Sequence, residues 1–378
     1  MSDEDNEILE TVVIDNGSGT FLAGLSDQVS PRCIIKPNAV GRPKHKTGII
    51  KDDNIIGDRL YPMRNTLSLS YPIERGVVTN WDDMERIWRY MYDQELRIKS
   101  EDRPVLIADA TLNPAGNREK MLQVMMETFH VPGFLAMNQG LLSLYASGRT
   151  TGTVLNVGDG VCHVDTAYEG ESELSSRRRI EVAGRDLTLY LQKLLYARGY
   201  SFTTAAEIEM VRDIKENLCC VRLHKETDNS KSSTDSPEKS YTLPDGSKLT
   251  LNNERFLCPE ALLKPSLLGF DFPGIHELVK ESIDSCDISS RRSLYNNIIL
   301  SGASTMFPQL HSRLDIEIRA LVSDHLPLRV IAPPERRSSA WIGGAVVSSL
   351  SSFDDILISR QEYEEFGPGI VHRKCRYL

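Results

Sequence analysis

Apolar and polar positions follow two rhythms along this chain. Short apolar, β-rich runs come in pairs: Thr11 to Ile14 with Phe21 to Leu25, and Thr153 to Leu155 with Val161 to Tyr168. Each pair flanks a glycine-punctuated turn, Asp15-Asn16-Gly17-Ser18-Gly19 in the first and Asn156-Val157-Gly158-Asp159-Gly160 in the second. Such runs read as two strand–turn–strand units. Between them the spacing turns helical. Asn80 is placed to cap a helix, Asp82 and Asp83 sit in its electropositive first turn, and Met84, Ile87, Trp88 and Met91 share one face. A second helix is expected from Asn117 to Phe129, with Met121, Leu122, Met125 and Phe129 as core, and a third over Gln139 to Ala146. The order of hairpin, helices and hairpin again reads as an internal duplication, which predicts an α/β protein of two lobes.

Three segments break the rhythm. Lys46 to Leu60 is polar and irregular. His224 to Lys239 holds almost nothing apolar, so it cannot offset its ordering entropy and is expected to be a surface loop. Pro265 to Gly274 instead carries Leu267, Leu268, Phe270 and Phe272 between Gly269, Pro273 and Gly274, and reads either as a locally packed loop or as an apolar contact surface.

Composition narrows the class. With 378 residues, 40% hydrophobic and 26% charged, the chain can bury large cores. A net charge of −9 disfavours nonspecific nucleic-acid binding. No apolar run reaches the ~20 residues that span a bilayer, and the acidic start Met1 to Glu7 is unlike a targeting signal. The 7 cysteines contain no CxxC pair and read as reduced thiols. Cys162 beside His163 is not a zinc spacing, and adjacent Cys219 and Cys220 read as helix packing.

The turns carry the candidate chemistry. Glycine lets a backbone turn tightly and approach a ligand, and successive N–H groups in such turns form an anion nest. Two facing nests, each beside an acidic or amide residue, suit a Mg-nucleoside triphosphate held between lobes. A single hairpin of this kind would be only a turn; the pair is what carries the reading.

Longer stretches sharpen it: Gly41 to His45 (GRPKH), Val78 to Glu85 (VTNWDDME), Leu142 to Gly152 (LSLYASGRTTG), Arg198 to Thr204 (RGYSFTT), Val211 to Glu216 (VRDIKE), Ile331 to Arg336 (IAPPER), Trp341 to Gly344 (WIGG) and Ile370 to Cys375 (IVHRKC). In order and spacing the chain resembles the actin family over nearly its whole length. The resemblance implies the actin-like ATPase fold, with ribonuclease H-like duplicated domains and four subdomains around a nucleotide cleft. Subdomain 1 would hold 1–37, 72–146 and 339–378; subdomain 2, 38–71; subdomain 3, 147–182 and 272–338; subdomain 4, 183–271.

It also implies site roles. Asp15 and Asp159 would hold Mg2+ (or Ca2+) through water, in keeping with magnesium's reluctance to dehydrate. Gln139 would position the attacking water and His163 would serve its proton relay. Gly17, Ser18, Gly19, Gly158, Asp159 and Gly160 would cradle the phosphates of ATP or ADP. Gly184, Arg185, Asp186, Lys215, Glu216, Gly302, Met306, Phe307 and Arg337 would surround the rest of the nucleotide. A partner cleft for amphipathic helices would use Tyr145, Gly148, Thr150, Val347, Leu350 and Ile356.

The departures matter as much. Leu22 stands where actin has a lysine that reaches the β- and γ-phosphates, a loss of roughly 1.5–3 kcal/mol, or about ten- to a hundredfold in affinity. Asn156 replaces an aspartate that helps organise the catalytic water, and Val157 a serine. Ala303 replaces a glycine, Phe307 a tyrosine, Arg337 a lysine and Ser338 a tyrosine. Arg75 stands where actin has its often-methylated histidine. The segment from His45 to Gly57 is shorter than actin's subunit-contacting loop and carries Lys51, Asp52 and Asp53. Glu171, Ser172, Glu173, Ser175 and Ser176 replace a largely apolar receiving loop. Arg376, Tyr377 and Leu378 follow Cys375 where actin has a phenylalanine.

The expectation is therefore a divergent actin-like cytoskeletal protein with bound nucleotide, slow or impaired hydrolysis, and assembly with itself, actin-like subunits or partner proteins. It is placed in the cytoplasm and cytoskeleton, with the nucleus as alternative. A second reading is a non-polymerising actin-related subunit of a dynein-linked, ciliary or chromatin complex, with nucleotide as structural glue. An independent kinase on the same fold fits least, because the match extends through segments that kinases do not use.

Overall fold

The computed structural model describes residues 10–44, 54–63, 65–223 and 238–375. The expectations for Lys51, Asp52 and Asp53, for the tail after Cys375, and for most of the 224–239 loop fall outside the described residues. Within that last segment Lys239 opens a strand, Lys239–Thr242, paired with Lys248–Leu251.

Two six-stranded sheets organise the chain, each built around one of the glycine hairpins. The first runs Ile358–Ser359, Gly133–Asn138, Val105–Asp109, Val12–Asn16, Phe21–Leu25, Cys33–Ile35. The second runs Glu171–Ser172, Cys162–Tyr168, Gly152–Val157, Ile298–Ser301, Val330–Ile331, with Arg178–Ile180 also on Cys162–Tyr168. In both, the hairpin's first strand is antiparallel to its second and parallel to a later strand on its other side, Val105–Asp109 in one sheet and Ile298–Ser301 in the other. This is the duplication that the repeated pattern predicts.

Each sheet has its own core. One gathers Val13, Ile14, Phe21, Leu106, Met121, Leu122, Met125 and Trp341; the other Leu155, Val164, Leu187, Leu191, Ile214, Leu300 and Leu314. The helix Gln139–Ala146, bounded as its pattern predicts, links them. Its Ser143 hydroxyl meets that of Ser301 at 2.9 Å, and the indole of Trp341 donates to the Val13 carbonyl at 3.0 Å.

The helix Trp81–Tyr90 starts where expected, with the Asn80 side chain accepting from the Asp83 N–H at 3.1 Å. Asp83 does more than complement the helix dipole. It is buried, and binds Arg42 on one side and Arg86, at 2.9 Å, on the other. The second helix is Ala115–Glu127, starting two residues earlier than its apolar spacing marks because Pro114 fixes the entry. Phe129 lies past its end, yet is buried edge-on against Trp88.

The Pro265 to Gly274 segment divides its residues. Leu268 packs on the second core. Leu267, Phe270 and Phe272 stay partly exposed, the two phenyl rings 5.7 Å apart. Ser176, one of the polar replacements in the receiving loop, is fully buried, and its carbonyl accepts from the Ser282 hydroxyl at 2.8 Å.

Candidate functional site

The two hairpin loops face each other. A Cβ added to Gly19 would lie 2.5 Å from Cβ of Asp159, so only glycine lets the loops approach this closely. Neighbours hold the loop carbonyls. Asn38 donates to Gly17 from its side chain at 2.8 Å and to Gly19 from its backbone at 3.1 Å. Gly158 accepts from the Ser304 hydroxyl at 2.7 Å and the Gly184 N–H at 3.0 Å, and Asp159 accepts from the Arg185 N–H at 2.8 Å. Among the described residues, the N–H groups of Ser18, Gly19, Asp159 and Gly160 carry no hydrogen bond. Paired loops with free donors are an anion-binding arrangement.

Two adjoining compartments open from this junction. One is lined by Asp15, Gly17, Ser18, Gly19, Gln139, Asn156, Gly158, Asp159, Gly160, His163, Gly302 and Arg337, with Leu22 in its wall. The other, of ≈ 230 Å³, is lined by Lys215, Glu216, Met306, Phe307 and Arg337. It also takes Lys36, Thr20, Arg212 and Ser304, which the sequence reading did not single out. Arg212 was legible, since it shares a helix face with Lys215 and Glu216 in Ala205–Leu218. Lys36 was not, because an isolated cation before a proline carries no periodicity.

Asp15 lies on the first strand, held by the Gln139 side-chain amide at 2.8 Å. Desolvation pushes its carboxyl up to about 6, against the pull of that hydrogen bond. Asp159 has an Oδ2 with no hydrogen bond, with Arg185 Nε 3.4 Å away, and Asn16 Oδ1 is likewise buried without a partner. These oxygens, with Asp15, are acceptors suited to the water shell of a divalent cation. The residue set therefore fits a metal–nucleotide.

Lys215 is committed to the protein. Its Nζ donates to the Gly184 carbonyl at 2.6 Å and to the Thr188 hydroxyl at 2.9 Å, and burial lowers its pKa. Glu216 would be raised by burial, but the hydrogen bond and charge of Lys36, with Lys215 and Arg337, hold it below the usual range. Lys36 reaches it at 2.6 Å.

Gly184, Arg185 and Asp186 do not line either compartment and act one layer back. The Asp186 carboxylate is taken by Arg75 in a two-pronged bridge of 2.6 and 2.7 Å, and it also accepts from the Ala183 N–H at 2.9 Å. Arg75 further donates to the carbonyls of Gly160 and Glu181, and Arg179 donates to Arg75's own carbonyl. Tyr71 adds a second crossing through its hydroxyl to Glu209 at 3.0 Å, with Arg185 over its ring.

The expected partner cleft is only partly a surface. Leu350 is 54% exposed, Gly148 and Thr150 are exposed, and Tyr145 and Ile356 are half-buried against the first core. Val347 is 3% exposed and belongs to the core; Val346, one residue earlier, faces outward instead.

Among the described residues no cluster of metal-ligating side chains of the zinc kind occurs, all 7 cysteines are free, and no helix is long and apolar enough to cross a membrane. The paired hairpins, the free loop donors and the two-compartment cleft agree with one further finding. The Actin family model matches residues 6–376, nearly the entire chain, and the chain belongs to the actin family.

Proposed function

We propose that this protein holds Mg-ATP or Mg-ADP between its lobes, hydrolyses it slowly, and assembles with itself or with partner proteins in the cytoskeleton. The observation that carries the reading is the meeting of the two glycine loops, with Asp15 and Asp159 beside it. The backbone donors of Ser18, Gly19, Asp159 and Gly160 would take the phosphates. Asp15 and Asp159 would hold waters on the cation, which supplies charge neutralisation when bound. Glu216, Met306, Phe307 and Arg337 would enclose the nucleoside.

Slow turnover follows from two wall residues. Leu22 offers the phosphates no charge, and Asn156 cannot accept a proton. The bridges Arg75–Asp186 and Lys36–Glu216 would hold the lobes closed around a ligand that is seldom cleaved.

Assembly rests on membership of the family and on the partly exposed Leu267, Phe270 and Phe272. The second reading, a nucleotide-stabilised subunit of a larger complex, draws on the acidic, polar Glu171 and Glu173 at the receiving loop. High-speed sedimentation with Mg-ATP over a concentration series separates the two. A pellet appearing only above a threshold concentration is expected for a filament former. Protein that stays soluble throughout would sink the filament reading and leave the complex subunit.

A further inference from the structure

Behind the cleft wall lies a buried polar network around His163. Asp165, two residues along the same strand and on the same face, accepts at Oδ2 from His163 Nδ1 at 2.7 Å and from the Thr111 hydroxyl at 2.7 Å. Asn138 Nδ2 donates to Thr111 Oγ1 at 2.8 Å and to Asp165 Oδ1 at 3.2 Å. On the cleft side, His163 Nε2 lies 3.1 Å from Asn156 Nδ2. Thr111, Asn138, Asn156, His163 and Asp165 are all buried. Room for the carboxylate comes from Gly140, where a Cβ would fall 2.4 Å from Asp165 Oδ2.

The proton positions follow from satisfying every group. An ionised carboxylate only accepts, so Nδ1 must carry the hydrogen it receives. Burial raises Asp165, but the hydrogen bonds it accepts from His163 and Thr111 and the charge of Arg177 at 3.7 Å favour its ionised form. A neutral imidazole protonated at Nδ1 presents a lone pair at Nε2. The amide of Asn156, with its Nδ2 turned to the ring at 3.1 Å, satisfies that lone pair by donating. The other charged groups nearby are Asp15 across the cleft and Arg179, which donates to the Thr111 carbonyl at 3.0 Å.

We propose that Asp165 and Asn156 clamp His163 as the neutral Nδ1–H tautomer, and that this clamp withholds the imidazole from proton transfer in the cleft. Asp165 is thus a positioning residue, and Asn156 caps the one nitrogen that faces the cleft. The withholding rests on the nucleotide reading above; the tautomer does not.

The test uses the whole chain with ring-15N histidine, without nucleotide. The His163 signals are assigned by their absence in His163→Gln. At neutral pH the expected pattern is a pyrrole-like Nδ1 and a pyridine-like Nε2. Two pyrrole-like nitrogens, or the opposite tautomer, would overturn the clamp. In Asn156→Asp a second carboxylate faces Nε2, and both nitrogens are expected to become pyrrole-like; an unchanged spectrum overturns it. Asp165→Val removes the acceptor and should relax the preference toward averaged shifts; retention of the wild-type pattern in folded protein overturns Asp165's part. Should that variant fail to fold, the wild-type and Asn156→Asp spectra still decide. Asn156→Ala uncovers Nε2 without adding a second base, and phosphate release from Mg-ATP is then expected to rise about tenfold or more in it. No rise with nucleotide demonstrably bound would overturn the withholding, whereas no nucleotide binding by the wild type would sink the functional reading and leave the tautomer result standing.

Discussion

The two hairpins share a backbone and differ in chemistry at one matched pair of positions. In the first, Asp15 stands opposite Leu22; in the second, Asn156 stands opposite His163. Each pair lies one step before the glycine turn, and all four residues line the same compartment. The first lobe therefore presents a carboxylate facing an aliphatic side chain, with desolvation pushing its pKa up. The second presents an amide facing an imidazole, with its carboxylate moved behind the histidine as Asp165. At this matched pair, one scaffold thus places charge at the front of one wall and at the back of the other. The duplication conserves geometry, and the cross-strand pair decides what that geometry can do.

The sharpest way to break the comparison is to stop the hairpins from meeting. In Gly19→Val the added carbons would collide with Asp159, whose Cβ lies 2.5 Å from the first of them. Equilibrium binding of Mg-ATP is expected to weaken about a hundredfold or more, equivalent to about 3 kcal/mol. Gly116→Ala, at a helical glycine with open space around it and no left-handed backbone, controls for the loss of a glycine. Equal binding by wild type and Gly19→Val would mean that the facing loops are not the phosphate site.

The next test makes the first hairpin less like itself. Leu22→Lys sets a cation opposite Asp15 and beside the proposed phosphate site. Affinity for Mg-ATP is expected to rise about ten- to a hundredfold. A second readout needs no nucleotide. Asp15 titrates near 6 in the fold and near 4 in the unfolded chain. A raised pKa contributes stability below the unfolded value, and that contribution disappears as pH rises through about 6. Ligand-free wild type should therefore lose stability between about pH 4 and 6 relative to Asp15→Asn. Leu22→Lys should shrink that loss by supplying a counter-charge. Parallel pH profiles for wild type and Asp15→Asn would show that the carboxylate is not desolvated in the way its surroundings dictate.

How much of this was legible depended on whether a residue acts locally. The hairpins, the capped helix at Asn80 and the helix Gln139–Ala146 follow from periodicity and short-range hydrogen bonds, so the chain declares them. The fold class follows from their repetition. Lys36, Arg75 and Asp186 take their meaning from partners more than 100 residues away, as with Arg75 and Asp186 at a separation of 111. No local pattern encodes such a pairing. Asp165 is the intermediate case. Its spacing of two from His163 placed it on the same face of a strand, yet its importance depends on Thr111 and Asn138 converging from other elements.

The smallest expected effect concerns what ties the two walls together. Arg75 spans the junction, bonding Asp186 twice and the carbonyls of Gly160 and Glu181. Its side chain is 32% exposed, so solvent screens part of the bridge, while the paired geometry retains the rest. Arg75→Gln keeps the length and loses the charge. Nucleotide dissociation, followed by chasing a fluorescent ATP analogue, is expected to quicken several-fold, with the association rate little changed, because a bridge that closes over a ligand acts mainly on escape. Asp186→Asn should quicken it similarly, and the double variant no further, since both remove the same bond. Additive effects would mean that Asp186 acts through the Ala183 N–H at its helix start rather than through Arg75. The lobes would then be held by Tyr71–Glu209 and Lys36–Glu216, and the difference between the hairpins would be felt in chemistry alone.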